Sequence, residues 1–69
     1  MVQVTYKRAE ELLHQNAFQP RELARLLGTT ESFLFNEVWK GNLRAIKVGN
    51  DIVRFERSEV LKWLNDRES

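Results

Sequence analysis

The chain has 69 residues, of which 42% are hydrophobic and 30% are charged, and its formal net charge is +1. These values are typical of one small globular domain comprising residues 1–69, with no room for a substrate cleft between two domains. Because cysteine is absent and histidine occurs once, the composition excludes disulfides, thiolate metal sites, thiol nucleophiles and a histidine metal cluster.

The first predicted element is an α-helix that extends from Tyr6 to about Gln15. Thr5 can cap this helix, because a threonine hydroxyl accepts a hydrogen bond from a free N–H group of the first turn. Asn16 and Ala17 interrupt the helical pattern and end the element. One face of the helix is apolar at helical spacing, with Tyr6, Ala9, Leu12 and Leu13.

The next two predicted helices are separated by a short turn. Pro20 suits the first position of a helix, and Gly28 suits the left-handed residue that ends one. Thr30 can cap the third helix, which extends to about Lys40 and is terminated by Gly41. Two helices joined by such a glycine-containing turn form a helix-turn-helix. Their buried faces contain Leu23, Leu26, Leu27, Leu34 and Val38.

After the third helix the sequence pattern changes from helix to strand. Two runs rich in β-forming residues, 45–48 and 52–55, flank a turn at residues 49–51. The turn begins with Gly49 and Asn50, and this dipeptide is a strong hairpin signal. The pattern therefore predicts a short two-stranded ribbon, or wing.

A final helix is predicted to begin at Ser58 and to fray after Asn65. Because an isolated hairpin is only marginally stable, Trp63 and Leu64 of this helix are expected to pack on the wing. Their expected partners are Ile46, Val48, Val53 or Phe55. The expected fold is mainly α with a small β-hairpin wing. It is a winged helix-turn-helix with its core at residues 18–64 and an extra N-terminal helix near residues 6–15.

Catalysis has little support in the sequence. His14 has no cysteine or serine patterned beside it, and the carboxylates of the first two helices lie on faces that are ordinarily solvated. The three separated glycines suit turns and helix ends rather than a phosphate-binding loop. We therefore expect no enzyme activity, no cofactor and no metal ion. Since no apolar run approaches the ~18 residues of a membrane span and no secretory signal is found, we expect a cytoplasmic protein without membrane contact.

Nucleic-acid binding has better support. Residues 42–57 contain four basic and two acidic side chains, so the positive charge is concentrated there. A helix-turn-helix places its second helix in the major groove of DNA, and a wing can reach phosphates. Asn36 could pair with adenine, and Thr30 could help to hold a phosphate. The alternative is that these are ordinary surface polar residues. The candidate contacts are Thr29, Thr30, Ser32, Asn36 and Lys40 on the helix, and Arg44, Lys47, Asn50 and Arg54 on the wing.

Several segments between residues 18 and 64 match, in register, the sequence pattern of one known family of domains. Residues 18–28 contain the acidic residue, the alanine and the final Leu-Gly of its opening helix, and residues 41–43 contain its Gly-x-Leu. Residues 46–49 are similar to its wing strand and turn, and residues 55–64 to its closing strand and helix. Together these segments resemble the excisionase-type winged helix-turn-helix domains, which are relatives of the MerR-type regulators.

This resemblance implies a DNA-binding accessory protein, either an excisionase (a recombination directionality factor) or a compact transcriptional regulator. Double-stranded DNA is the implied partner, together with neighbouring copies of the chain and a recombinase or another protein. A small terminase-like subunit that recognises packaging sites is an alternative with the same fold. Glu31 departs from the family, which has basic residues there, and its charge repels phosphates. A carboxylate can nevertheless accept a hydrogen bond from cytosine N4, so Glu31 is also a candidate contact.

Aromatic residues of the third helix give a second functional hypothesis. Phe33, Phe35 and Trp39 cannot all face the same core as Leu34 and Val38. An exposed aromatic stripe is typical of a protein-binding surface, so the domain could instead be a protein-interaction module with these three side chains as anchors. The competing explanation is that the extra N-terminal helix covers them.

Overall fold

The computed structural model describes residues 3–68, which form four helices and one small three-stranded antiparallel sheet. The helices are α1 (Tyr6–Leu12), α2 (Pro20–Leu27), α3 (Glu31–Trp39) and α4 (Arg57–Glu68). The strands are β1 (Ala17–Phe18), β2 (Ile46–Val48) and β3 (Asp51–Glu56), and their order in the sheet is β1-β3-β2. The domain is therefore mixed α/β, and the predicted bounds at residues 1 and 69 lie outside the described residues.

Local signals determine where the first three helices begin and where α2 ends. Thr5 Oγ1 accepts a hydrogen bond from Arg8 N at 3.3 Å, and Thr30 Oγ1 accepts one from Phe33 N at 3.1 Å. Pro20 occupies the first position of α2. Gly28 ends α2 with a φ of +66°, a conformation that a side chain at this position would disfavour. These predicted caps are confirmed.

Helix α1 ends at Leu12 rather than near Gln15, so the predicted C-terminus was wrong. Leu13 already has an extended backbone conformation, and its carbonyl accepts a hydrogen bond from Arg57 Nε at 2.7 Å. Arg57 Nη2 also donates to the carbonyl of Glu10 at 3.4 Å. The guanidinium thus binds carbonyl groups that the helix end leaves without intrahelical donors.

The sheet has a third strand where the sequence indicated only an interruption. Ala17 pairs with Glu56 and Phe18 pairs with Phe55, so β1 adds to the outer side of β3. The sequence did not predict β1, because a two-residue strand is too short to show an alternating pattern. The predicted hairpin between β2 and β3 is confirmed, and Val48 pairs with Asp51 across the turn.

Helix α4 begins at Arg57 and continues to Glu68, so the expected fraying after Asn65 was wrong. Arg67 Nη1 donates to Glu37 Oε1 at 3.2 Å, and Glu68 Oε2 accepts from Tyr6 N at 2.6 Å. These contacts with α3 and α1 hold the last turn of the helix.

Buried apolar side chains from every helix meet in one core. Helix α1 packs on α4, whereas α2 packs on both α3 and β3. Trp63 packs beside Phe33 of α3, and the expected wing partners Val48 and Val53 are exposed, so that part of the packing prediction was wrong. None of the helices within residues 3–68 is long and apolar enough to cross a membrane. The core consists of Ala9, Leu13, Phe18, Leu23, Ala24, Leu27, Leu34, Val38, Leu43, Phe55, Val60, Leu61, Trp63 and Leu64.

Candidate functional site

The outward face of α3 is the first candidate surface. Ser32, Asn36 and Trp39 are exposed and lie four and three positions apart, so they form one stripe along the helix. Phe35 is half-buried beside them. The side chains of Ser32 and Asn36 make no hydrogen bond to other residues of the described chain. Polar groups are therefore available to a ligand along most of this stripe.

Thr29 and Thr30 differ in what their hydroxyl groups do. Thr30 is exposed, but its Oγ1 already caps α3. Thr29 Oγ1 is buried in the turn between α2 and α3 and has no hydrogen-bond partner within residues 3–68. Neither hydroxyl is therefore presented to solvent in the way that Ser32 and Asn36 are.

Glu37 is a buried carboxylate on the inner face of α3, with 5% of its surface exposed. Its Oε1 accepts hydrogen bonds from Trp63 Nε1 at 3.0 Å and from Arg67 Nη1 at 3.2 Å. Its backbone carbonyl accepts from the N–H groups of Asn42 and Leu43. Glu37 therefore holds α4 and the segment that leads to the sheet against α3. Sequence reasoning missed this role, although a charged residue between two buried positions of a helix was the available signal.

The aromatic residues predicted as anchors lie in different environments. Phe33 is half-buried, with its ring centroid 6.2 Å from that of Trp63 and the Arg67 guanidinium 5.3 Å from it. Trp39 is 61% exposed, so the extra N-terminal helix does not cover it. Trp39 is therefore the most exposed of the three predicted anchors.

The predicted basic contacts of the wing do not converge on one place. Lys47 Nζ lies 4.9 Å from the Trp39 ring centroid, which joins β2 to the outward face of α3. Arg44 is exposed and lines two small recesses that Glu59 of α4 also lines. Arg54 faces a different region, a groove beside α2. Only Lys47 is thus shown in contact with the α3 stripe.

The remaining predicted contacts are at the ends of their elements. Glu31 is exposed in the first turn of α3, and Asn50 is exposed in the hairpin turn. Lys40 is exposed at the end of α3, with its Nζ 3.9 Å from Glu37 Oε2. Its charge is therefore partly compensated within the domain.

A second candidate surface is an open groove between the outward side of α2 and the sheet. Arg21 and Arg25 of α2 and Arg54 of β3 line it, and none of the three forms an ion pair within residues 3–68. Sequence reasoning missed Arg21 and Arg25, although their spacing of four on a helix places both on one side.

The comparisons with known proteins add no assignment. No protein-family model, curated protein or solved structure matches the chain. Within residues 3–68 no group of three or more His, Cys, Asp or Glu side chains is arranged to hold a metal ion. The function is therefore inferred from the two surfaces described above.

Proposed function

We propose that the protein binds double-stranded DNA as a small winged helix-turn-helix domain. In this proposal α2 and α3 are the helix-turn-helix, α3 enters the major groove, and β2 and β3 form the wing. The observation that carries the proposal is the outward face of α3, where Ser32 and Asn36 are exposed and their side chains make no hydrogen bond within residues 3–68. Such a face, following a short turn after another helix, is the arrangement that reads base edges.

The stripe on α3 would supply the specificity of the complex. The amide of Asn36 can donate to adenine N7 and accept from adenine N6, which distinguishes adenine from the other bases. Glu31, in the first turn, can accept from cytosine N4. Lys47, held against Trp39 at the edge of this face, can reach a phosphate.

A net charge of +1 limits the affinity that one copy can reach through phosphates alone. Tight binding would therefore need neighbouring copies on adjacent sites, since linked binding events raise the overall affinity. This agrees with the accessory role that the excisionase resemblance implies. An excisionase and a compact transcriptional regulator are the two roles proposed.

Fluorescence anisotropy of a labelled duplex, repeated over a salt series, tests DNA binding. We expect binding that weakens steeply as salt rises, with a sigmoidal isotherm if copies assemble cooperatively. Asn36→Ala should lower the preference among duplexes of different sequence by about tenfold at its adenine position. No binding of wild-type protein at low salt, with the fold verified by circular dichroism, would refute the proposal.

One observation favours a second candidate function, a protein-interaction module. Trp39 and Val48 are 61% and 67% exposed, and aromatic anchors often dominate binding energy at protein interfaces. Under this alternative, Trp39→Ala abolishes partner binding while the circular dichroism spectrum and thermal stability remain those of the wild type. If the variant unfolds instead, Trp39 is a structural residue and the alternative is wrong.

A further inference from the structure

The groove between α2 and the sheet has no assigned role, and it is lined by three arginines that form no ion pair within residues 3–68. We infer that it is a docking site for a segment of a partner protein that contains both acidic and apolar side chains. This inference does not depend on the proposed base-reading face, because no residue of α3 lines the groove, although β3 of the proposed wing supplies Val53 and Arg54.

The charge of the groove differs from that of the molecule. Arg21, Arg25 and Arg54 line it, and Glu22 is its one carboxylate, so the lining has a net charge of +2. The whole chain has a net charge of +1. Because none of the three arginines has an ion-pair partner within residues 3–68, their guanidinium groups are available to external carboxylates. A guanidinium can bind a carboxylate through two parallel hydrogen bonds.

The lining also contains apolar side chains, alongside the polar Gln15 and Gln19. Phe18 of β1 is almost fully buried, Leu26 of α2 is half-buried, and Val53 of β3 is 39% exposed. Helix α2 lies on one side of these apolar side chains, and the sheet lies on the other. A bound segment could therefore bury apolar side chains in the groove while its carboxylates meet the arginines.

A β-bulge brings Val53 and Arg54 into the groove together. Ile46 pairs with Arg54 and Lys47 pairs with Ile52, so Val53 is an extra residue on β3. In regular strands neighbouring side chains point to opposite faces, whereas here Val53 and Arg54 both line the same groove. The irregularity thus places an apolar and a basic side chain side by side.

The apolar lining is what favours a protein segment over a DNA backbone. Phosphates would satisfy the arginines, but they offer no apolar surface to Val53 and Leu26. A peptide with carboxylates and leucine-like side chains satisfies both parts of the groove. DNA backbone binding is the competing outcome that the experiment must separate.

The test uses two short fluorescein-labelled peptides of equal charge, one of glutamate and leucine and one of glutamate and serine. We expect the 69-residue chain to bind the leucine peptide more tightly. The double variant Arg25→Gln, Arg54→Gln should weaken that binding by about tenfold or more. Lys7→Gln, Arg8→Gln is its matched control, because it removes the same charge from exposed positions of α1 outside the groove. The control should retain most of the affinity.

A second pair of variants tests the apolar lining. Val53→Ser should weaken binding of the leucine peptide severalfold and leave the serine peptide unchanged, whereas Val48→Ser, outside the groove, should change neither.

Equal binding of the two peptides, equal effects of the two double variants, or no binding of the leucine peptide at low salt would each overturn the inference. If the arginine variant instead loses duplex binding alone, the groove binds phosphates. A loss of sequence preference among duplexes in Asn36→Ala, with peptide binding retained, separates the groove from the α3 surface.

Discussion

At the scale of single residues, Glu37 shows how a buried charge can fix one arrangement of two helices. Its Oε1 binds both Trp63 and Arg67, which come from a helix far along the chain. Truncation would leave the buried Trp63 N–H without an acceptor. We expect Glu37→Ala to cost about 2–3 kcal/mol of unfolding free energy, and Glu37→Gln to cost less because its amide oxygen can still accept from Trp63. Urea unfolding followed by circular dichroism measures both, and an alanine variant as stable as the wild type would contradict this role.

Substitutions of the two adjacent threonines, Thr29 and Thr30, should have different effects on the free energy of unfolding. Thr29 Oγ1 is buried without a hydrogen-bond partner in the described part of the chain, so Thr29→Val removes an unsatisfied hydroxyl at nearly constant volume. We expect it to leave stability unchanged or raise it by up to about 1 kcal/mol. Thr30 Oγ1 caps α3, so Thr30→Val should lower stability by about 1 kcal/mol. Thermal unfolding of the two variants side by side decides this, and equal losses from both would show that the Thr29 hydroxyl has a partner.

At the scale of elements, the position of α1 depends on Arg57. Its guanidinium binds the carbonyls of Leu13 and Glu10 at the end of that helix, where a positive charge also interacts favourably with the helix dipole. We expect Arg57→Ala to lower the free energy of unfolding by about 1–3 kcal/mol. It should also raise the rate of amide hydrogen exchange in α1 more than in α2. Lys62→Ala is the control, since Lys62 is exposed on α4 and forms no ion pair within residues 3–68. Uniform exchange changes across both helices would argue against a local role for Arg57.

The elements also show which parts of the fold the sequence predicts. Caps and the hairpin turn are local, because Thr5, Thr30 and Gly28 act within a few residues of their own positions, so these were predictable. The end of α1, strand β1 and the last turn of α4 depend on distant partners. Glu68 contacts Tyr6 across 62 positions of sequence, for example, and no local pattern encodes that contact.

The candidate sites likewise depend partly on local sequence and partly on contacts with distant residues. The sequence predicted Asn36 as an exposed contact of α3 and an aromatic stripe that included Phe35 and Trp39. Asn36 and Trp39 are exposed, whereas Phe35 is half-buried. The groove beside α2 required tertiary information, because Arg54 joins Arg21 and Arg25 only after β3 packs against α2. Charge counted along the sequence placed Arg44, Lys47 and Arg54 in one segment, whereas the fold separates them.

At the scale of the whole molecule, the fold separates Arg44, Lys47 and Arg54. The salt dependence of DNA binding therefore tests whether Lys47 contacts the DNA. Lys47 is the one predicted basic wing contact shown beside the α3 face, where it lies against Trp39. If it neutralises one phosphate, Lys47→Ala should weaken binding to all duplexes alike and reduce the slope of log affinity against log salt by about one. Lys7→Ala removes the same charge from α1, which lies outside the proposed interface, and should leave the slope unchanged. Anisotropy titrations over a salt series measure both slopes. Equal slopes for the two variants would mean that DNA responds only to overall charge, and the proposed orientation of α3 and the wing would then be wrong.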